Sequence, residues 1–218
     1  MRKKLDTRNM ALFAMFLAIE LLLVLTPLGY IRTPALSITL MHIPVVVCGI
    51  LMGPGWGAAL GLVFGLTSVW NATMQPNLTS FVFSPFITVG GISGNWTSLI
   101  IALVPRILLG YLAGIFYQLL SKKLNRPLSA LIAAMGATLL HTLMVLGLIA
   151  LFWGAQYAEA IGVAATALLA YLGMVIVTNG ILEMIAAGVI SMALAKAVKP
   201  LRTTKSGYSN KAAGSKAV

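Results

Sequence analysis

Five ionisable side chains stand inside otherwise apolar stretches of this chain: Glu20, His42, Arg106, His141 and Glu183. An unpartnered ionisable group costs several kcal/mol in hydrocarbon, so each of them marks an internal partner or a solute pathway. Arg106 follows Pro105 well inside the run from Trp96 to Leu120, too deep to snorkel easily to an interface. Its planar fork of donors suits the carboxylate of a solute, and the same fork would serve a structural ion pair with Glu183 or Glu20. Neutral polar groups accompany these charges. Tyr171, Asn179 and Glu183 fall on one helical face with Thr178 beside them, His141 lies with Thr138 and Thr142, and Thr67, Trp70 and Asn71 share the last turns of another helix. Such groups suit a solute bearing amides and hydroxyls, and each alone equally suits a helix-to-helix hydrogen bond. His42 precedes Pro44 by two residues. The proline frees a backbone carbonyl one turn back, which the imidazole can satisfy, or the ring can line the mouth of a cavity.

Other chemistries fit poorly. Gly91-Ile92-Ser93-Gly94 mimics the nucleophile site of a rhomboid-type intramembrane protease, but the base expected on the last span has no histidine to supply it. No Gly-x-x-x-x-Gly-Lys-[Ser/Thr] loop exists to hold phosphates, so the chain does not power its own ATP-driven transport. No Cys, His and carboxylate cluster has metal-site spacing, and no cofactor is implied. The lone Cys48 excludes an intrachain disulfide and reads as a small apolar filler. A secondary carrier for a small organic anion would be expected to show paired repeats and helices broken at midplane, and the halves do not visibly repeat.

The elements that must position these groups are membrane spans. Apolar residues make up 60% of the 218 residues and charged residues only 9%, with a mean hydropathy of +0.99. The formal charge of +11 could suggest nucleic acid, but its placement argues for topology. All of the fifteen Lys and Arg except Arg32 and Arg106 cluster outside the apolar runs: Arg2 to Arg8, Lys122 to Arg126, and Lys196 to Lys216. The chain therefore reads as an all-α integral membrane protein in the lipid bilayer with six transmembrane helices and both termini cytoplasmic. The spans are Met10 to Thr26, about Ile38 to Met52, Trp56 to about Ala72, Trp96 to Leu120, Leu128 to Trp153, and from near Ile161 past Ala186. Residues 1–200 are expected to form one six-helix membrane domain, and 201–218 a basic, disordered cytoplasmic tail. The N-terminus resembles a signal peptide but shows no clear small-x-small site before Ile31, and it reads as a retained first helix.

Gly53-Pro54-Gly55 is a tight turn at the inner face. The long uncharged stretch from Gln75 to Asn95 is expected to be a lid on the outer side between the third and fourth helices. Gly57, Gly61 and Gly65, and again Gly110 and Gly114, are spaced for close helix packing within the bundle. Ala11, Ala14 and Ala18 form a further small-residue stripe, which packs inside the bundle or receives a helix of another protein. Asn71, Asn77 and Asn95 each begin an Asn-x-Thr sequon, to which no glycosylation is assigned.

Ala14-x-x-x-Ala18 on the first span, the long outer loop, and above all the block "LMHIPVVVCGILMGPGWGAALGLVFGLTS" resemble the substrate-binding S component of energy-coupling factor (ECF) vitamin transporters. The likeness covers roughly residues 5–200 and is strongest to the pantothenate type. It implies a membrane binding protein in the bacterial plasma membrane, not an enzyme. Such a protein captures a vitamin outside and delivers it by toppling onto a transmembrane coupling subunit driven by two ECF ATPases. Ala14 and Ala18, with Ala11, would carry the docking contact. Pantothenate has a carboxylate, an amide and two hydroxyls. The carboxylate suits Arg106, while Asn71, Asn179 and His141 suit the neutral groups, with Glu183, Tyr171 and Trp70 nearby. Phe83, Asn95 and Trp96 would close over the solute, with His42 at or under that lid. Folate, riboflavin and pyridoxine are alternative substrates within the same family.

Overall fold

The structure, a computed structural model, describes residues 7–26, 29–32 and 37–198, of which 30–32 and 37–38 as backbone only. The expected tail at 201–218 and the basic residues Arg2, Lys3 and Lys4 lie outside the described residues. Helix α1 (Thr7–Leu25) leads into a short antiparallel hairpin, β1 (Tyr30–Arg32) and β2 (Ser37–Thr39), with Tyr30 opposite Thr39. Helices α2 (His42–Met52) and α3 (Pro54–Met74) meet at Gly53, whose φ of 104° is open to glycine and strained for other residues. A second hairpin, β3 (Thr88–Val89) and β4 (Ile92–Ser93), precedes α4 (Trp96–Leu120). Helix α5 (Arg126–Ala160) follows, then α6 (Leu168–Val175), a π-helical stretch Ile176–Gly180, and α7 (Ile181–Ala197).

Among the described residues, five helical stretches are long and apolar enough to cross a membrane: α1, α3, α4, α5, and the run Ala165–Ala197 that contains α6, the π stretch and α7. Helix α2 is apolar but has only 11 residues. Its predicted start near Ile38 moves to His42, because Ser37 to Thr39 pair as a strand and Pro44 tolerates a helix only within its first turn. The expectation of a purely helical chain is likewise amended by two small hairpins in the connections.

Backbone contact between α3 and α4 organises the bundle. A Cβ added at Gly57 or Gly61 would come closer than 3.0 Å to the carbonyl oxygens of Gly110 and Arg106, and one at Gly110 would meet Gly57. The glycine stripes therefore serve internal packing, where close approach gains dispersion contacts that lipid cannot supply. Helix α2 joins the same seam, with Gly49 against Gly110. Helix α1 attaches more loosely. It buries Phe16 and Glu20 and sets Phe13 against Trp56, with ring centroids 5.0 Å apart. Ala11, Ala14 and Ala18 point away from the bundle and are exposed.

Buried apolar side chains form two clusters. One gathers Val45, Val46, Leu60, Phe64, Leu109 and the small residues Ala130, Ala133 and Ala137. The other gathers Phe81, Val82, Ile101, Ile149, Trp153, Tyr157 and Leu172. The segment between α3 and α4 is pinned onto this second cluster. Ser98 Oγ donates to the Phe81 carbonyl at 2.7 Å, Thr73 and Ser84 share a hydroxyl bond at 2.7 Å, and Phe81 meets Trp153 edge-on at 5.3 Å.

Candidate functional site

A cavity of about 120 Å³ opens beside the second cluster, which contributes Val145, Leu146 and Val175 to its lining. Its walls come from α3 (Ser68, Asn71, Ala72), the loop after it (Gln75 to Phe83), α4 (Arg106), α5 (His141 to Leu146), and the last helical run (Val175, Asn179, Gly180, Glu183), with Thr39 at the end of β2. Among the described residues, Arg106 and Glu183 are the formally charged ones in the lining; the other polar ones are amides, hydroxyls and the His141 imidazole.

Arg106 owes its pose to its neighbour. Pro105 has no N–H, so the Ile101 carbonyl one turn back loses its helical donor. Arg106 Nη1 donates to that carbonyl instead. The guanidinium is only 6% exposed and packs against two aromatic rings, its carbon 5.6 Å from the Phe64 centroid and 5.0 Å from that of Phe83. Aromatic faces on a water-poor site strengthen any further charge–charge contact that the fork makes. Behind it, Gly61 of α3 abuts the Arg106 backbone.

The π-helical stretch shapes the opposite wall. Val175, Asn179 and Glu183 stand four residues apart and share the face that reaches the cavity, with Gly180 at the end of the π stretch beside them. Gly180 allows α5 close, because a Cβ there would lie 3.3 Å from Thr142 Cγ2. His141 Nε2 is buried and has no hydrogen-bond partner among the described residues, and its ring faces Phe64 at 6.3 Å. Glu183 Oε1 accepts the Thr39 N–H at 2.9 Å.

Of the residues singled out from sequence, Arg106, Asn71, Asn179, His141, Phe83 and Glu183 line this one cavity. Five others do not. Trp70 is 44% exposed on the outside of α3, and Trp96 is 81% exposed at the start of α4. Asn95 caps α4: its Oδ1 accepts the Thr97 N–H at 2.8 Å, and Ser98 Oγ accepts the Asn95 N–H at 3.2 Å. Tyr171 packs beside the Phe81 and Trp153 cluster. His42 is buried, with Nδ1 2.7 Å from the Thr39 carbonyl oxygen and Nε2 3.2 Å from that of Glu183, so the ring lies between the hairpin and α7 just behind the wall, where a neutral imidazole donates to one of the two oxygens. Glu20, the other carboxylate considered for Arg106, is buried on α1, away from the cavity lining.

Sequence reasoning passed over Thr39, Ser68, Gln75, Asn77, Thr79 and Ser80 as lining residues. A signal for the last three existed. Asn77 Oδ1 accepts from the Thr79 N–H at 3.0 Å and from Ser80 Oγ at 3.0 Å, the local side-chain-to-backbone turn that Asn followed by Thr and Ser favours. The protease reading finds no support, since Ser93 Oγ pairs with Thr88 Oγ1 at 2.8 Å on an exposed hairpin.

The geometry describes a small, partly polar chamber lined by Arg106, Glu183 and several neutral polar groups. Comparison with known proteins places the chain. The family described as "ECF transporter, substrate-specific component" matches residues 8–195. The pantothenic acid transporter PanT of Lactococcus lactis subsp. cremoris is 35% identical over 203 residues, spanning 92% of this chain and 98% of that protein. The pantothenate transporter PanT of Leuconostoc mesenteroides subsp. mesenteroides is 27% identical over 205 residues, spanning 89% and 94%. Both relatives are transporters. This protein is accordingly a member of the family of substrate-specific components of ECF transporters.

Proposed function

We propose that the protein captures pantothenate and hands it to an ECF energising module. The observation that carries this reading is the convergence of a buried guanidinium with Asn71, Asn179 and His141 on one cavity. Arg106 takes the carboxylate, a charge-assisted contact strengthened by the dry aromatic surroundings. Asn71, Asn179, His141 and Gln75 serve the amide and the hydroxyls. The names of the two relatives support the choice of solute.

The segment from 75 to 95 acts as the lid. Phe83 is the part of it that covers the ligand, while Asn95 and Trp96 work at its anchor on α4. Trp70 and Tyr171 support the walls from behind, and His42 holds the hairpin to α7. In the bacterial plasma membrane the short α2 completes six spans, with both termini and the basic tail cytoplasmic. The exposed stripe Ala11, Ala14 and Ala18 supports docking through α1 onto the transmembrane coupling subunit, whose two ATPases supply the energy. Delivery follows by toppling of the loaded subunit.

The test is mass spectrometry of small molecules released from purified, denatured protein, followed by calorimetry with the compound found. Pantothenate is expected. Release of folate, riboflavin or pyridoxine instead would keep the capture role and replace the solute. Proton-driven uptake by the chain alone in liposomes would overturn the dependence on a module and revive the secondary-carrier alternative.

A further inference from the structure

The cavity has a second charged wall that an anion-capturing site does not need. Glu183 comes from α7, while Arg106 enters from α4, and both of these helices pack against α2 and α5. Glu183 is not a free-swinging side chain. Its Oε1 accepts the Thr39 N–H at 2.9 Å, and the His42 ring packs against the backbone on both sides of that bond, its nitrogens 2.7 Å from the Thr39 oxygen and 3.2 Å from the Glu183 oxygen. Glu183 is at the same time a lining residue of the cavity, and no hydrogen bond among the described residues takes up its Oε2.

From this we infer that Glu183 is the specificity-determining residue of the site. It accepts a hydrogen bond from a neutral hydroxyl or amide of the solute and excludes any solute that carries a second anionic group at that end. The inference rests on the capture reading above and deepens it. An ionised carboxylate is an acceptor only, so it rewards O–H or N–H donors and repels anions, and low dielectric enlarges both effects. With Arg106 and Glu183 as the charged lining residues among those described, the site favours a solute that is anionic at one end and a hydroxyl donor at the other. Pantothenate has that polarity. Its phosphate monoester, formed at the terminal hydroxyl, replaces the donor by a second anion.

Calorimetric affinities of purified protein for pantothenate and for that phosphate monoester test the point. In the wild type the monoester is expected to bind at least 100-fold more weakly. Glu183→Gln keeps the shape, removes the charge and should narrow this ratio at least tenfold. Glu183→Asp keeps the charge and should leave the discrimination in place. Equal affinity of the wild type for both compounds overturns the inference while leaving capture intact. An unchanged ratio in folded Glu183→Gln overturns it as well. Absence of pantothenate binding by the wild type would remove the capture reading and this inference together. If Glu183→Gln does not fold, Glu183→Ala takes its place, with the same narrowing expected and an unchanged ratio overturning the inference.

Discussion

Arg106 performs two tasks, and they can be separated by mutation. Its Nη1 occupies the Ile101 carbonyl that Pro105 leaves without a donor, and its fork lines the cavity between Phe64 and Phe83. Arg106→Ala removes both, so lost binding alone would not distinguish a missing contact from a damaged helix. Pro105→Ala restores a backbone N–H for Ile101, which makes the guanidinium dispensable to α4. The double variant Pro105→Ala/Arg106→Lys should therefore unfold at a temperature close to that of the wild type. It should nevertheless bind pantothenate poorly, because an ammonium cannot reproduce the planar fork. A charge-assisted hydrogen bond in such a site is worth about 2–3 kcal/mol, which at about 1.4 kcal/mol per decade weakens binding roughly 30- to 150-fold. Isothermal titration of detergent-purified protein measures the affinity, and thermal unfolding of the same sample reports the fold. Wild-type affinity in a well-folded double variant, or in Arg106→Ala itself, would show that the guanidinium is a helix brace and nothing more.

Gly61→Ala pushes a methyl group into the Arg106 carbonyl across the α3–α4 seam. The overpacking should cost roughly 1–3 kcal/mol and lower both the unfolding temperature and the pantothenate affinity; an unperturbed variant would mean that the seam is looser than described. Ala14→Trp alters an exposed position on α1 and should leave ligand affinity unchanged while abolishing uptake in cells that supply the energising module, and normal uptake would remove the docking assignment. Ser93→Ala deletes only an exposed hydroxyl pair with Thr88, so unfolding and binding should shift by no more than about 0.5 kcal/mol; a marked loss of function would reopen a chemical role for Ser93.

Much of the architecture was readable without coordinates. Span lengths and the placement of Lys and Arg follow from the cost of putting backbone and charge in hydrocarbon, a cost set by residue type alone. The run from Trp96 to Leu120 coincides with α4 for that reason, and Asn95 with Ser98 closes its capping box. The glycine stripes were equally legible, since residues at helical spacing share a face whatever the neighbour is. The same local reasoning placed His42 beside a carbonyl, although it is the Thr39 oxygen that the ring meets. Applied to Pro105, it would have paired Arg106 with Ile101 as well.

Which polar groups meet one another was decided by the tertiary structure. Asn71, Arg106, His141, Asn179 and Glu183 come from helices far apart in the chain, and periodicity assigns a face without saying what that face opposes. The loop residues Gln75, Asn77 and Thr79 have no period at all, and Trp70 and Tyr171 show that sharing a helix with lining residues does not suffice to reach the cavity. The π-helical stretch rotates the last helix by an extra residue, a shift that composition does not announce. Sequence thus determined the membrane character, the helices and the types of group available for capture, because these depend on local transfer and hydrogen-bonding costs. The shared cavity, the pairing of Glu183 with Thr39 and the outward face of α1 depend on how distant segments pack, and that was settled only in three dimensions.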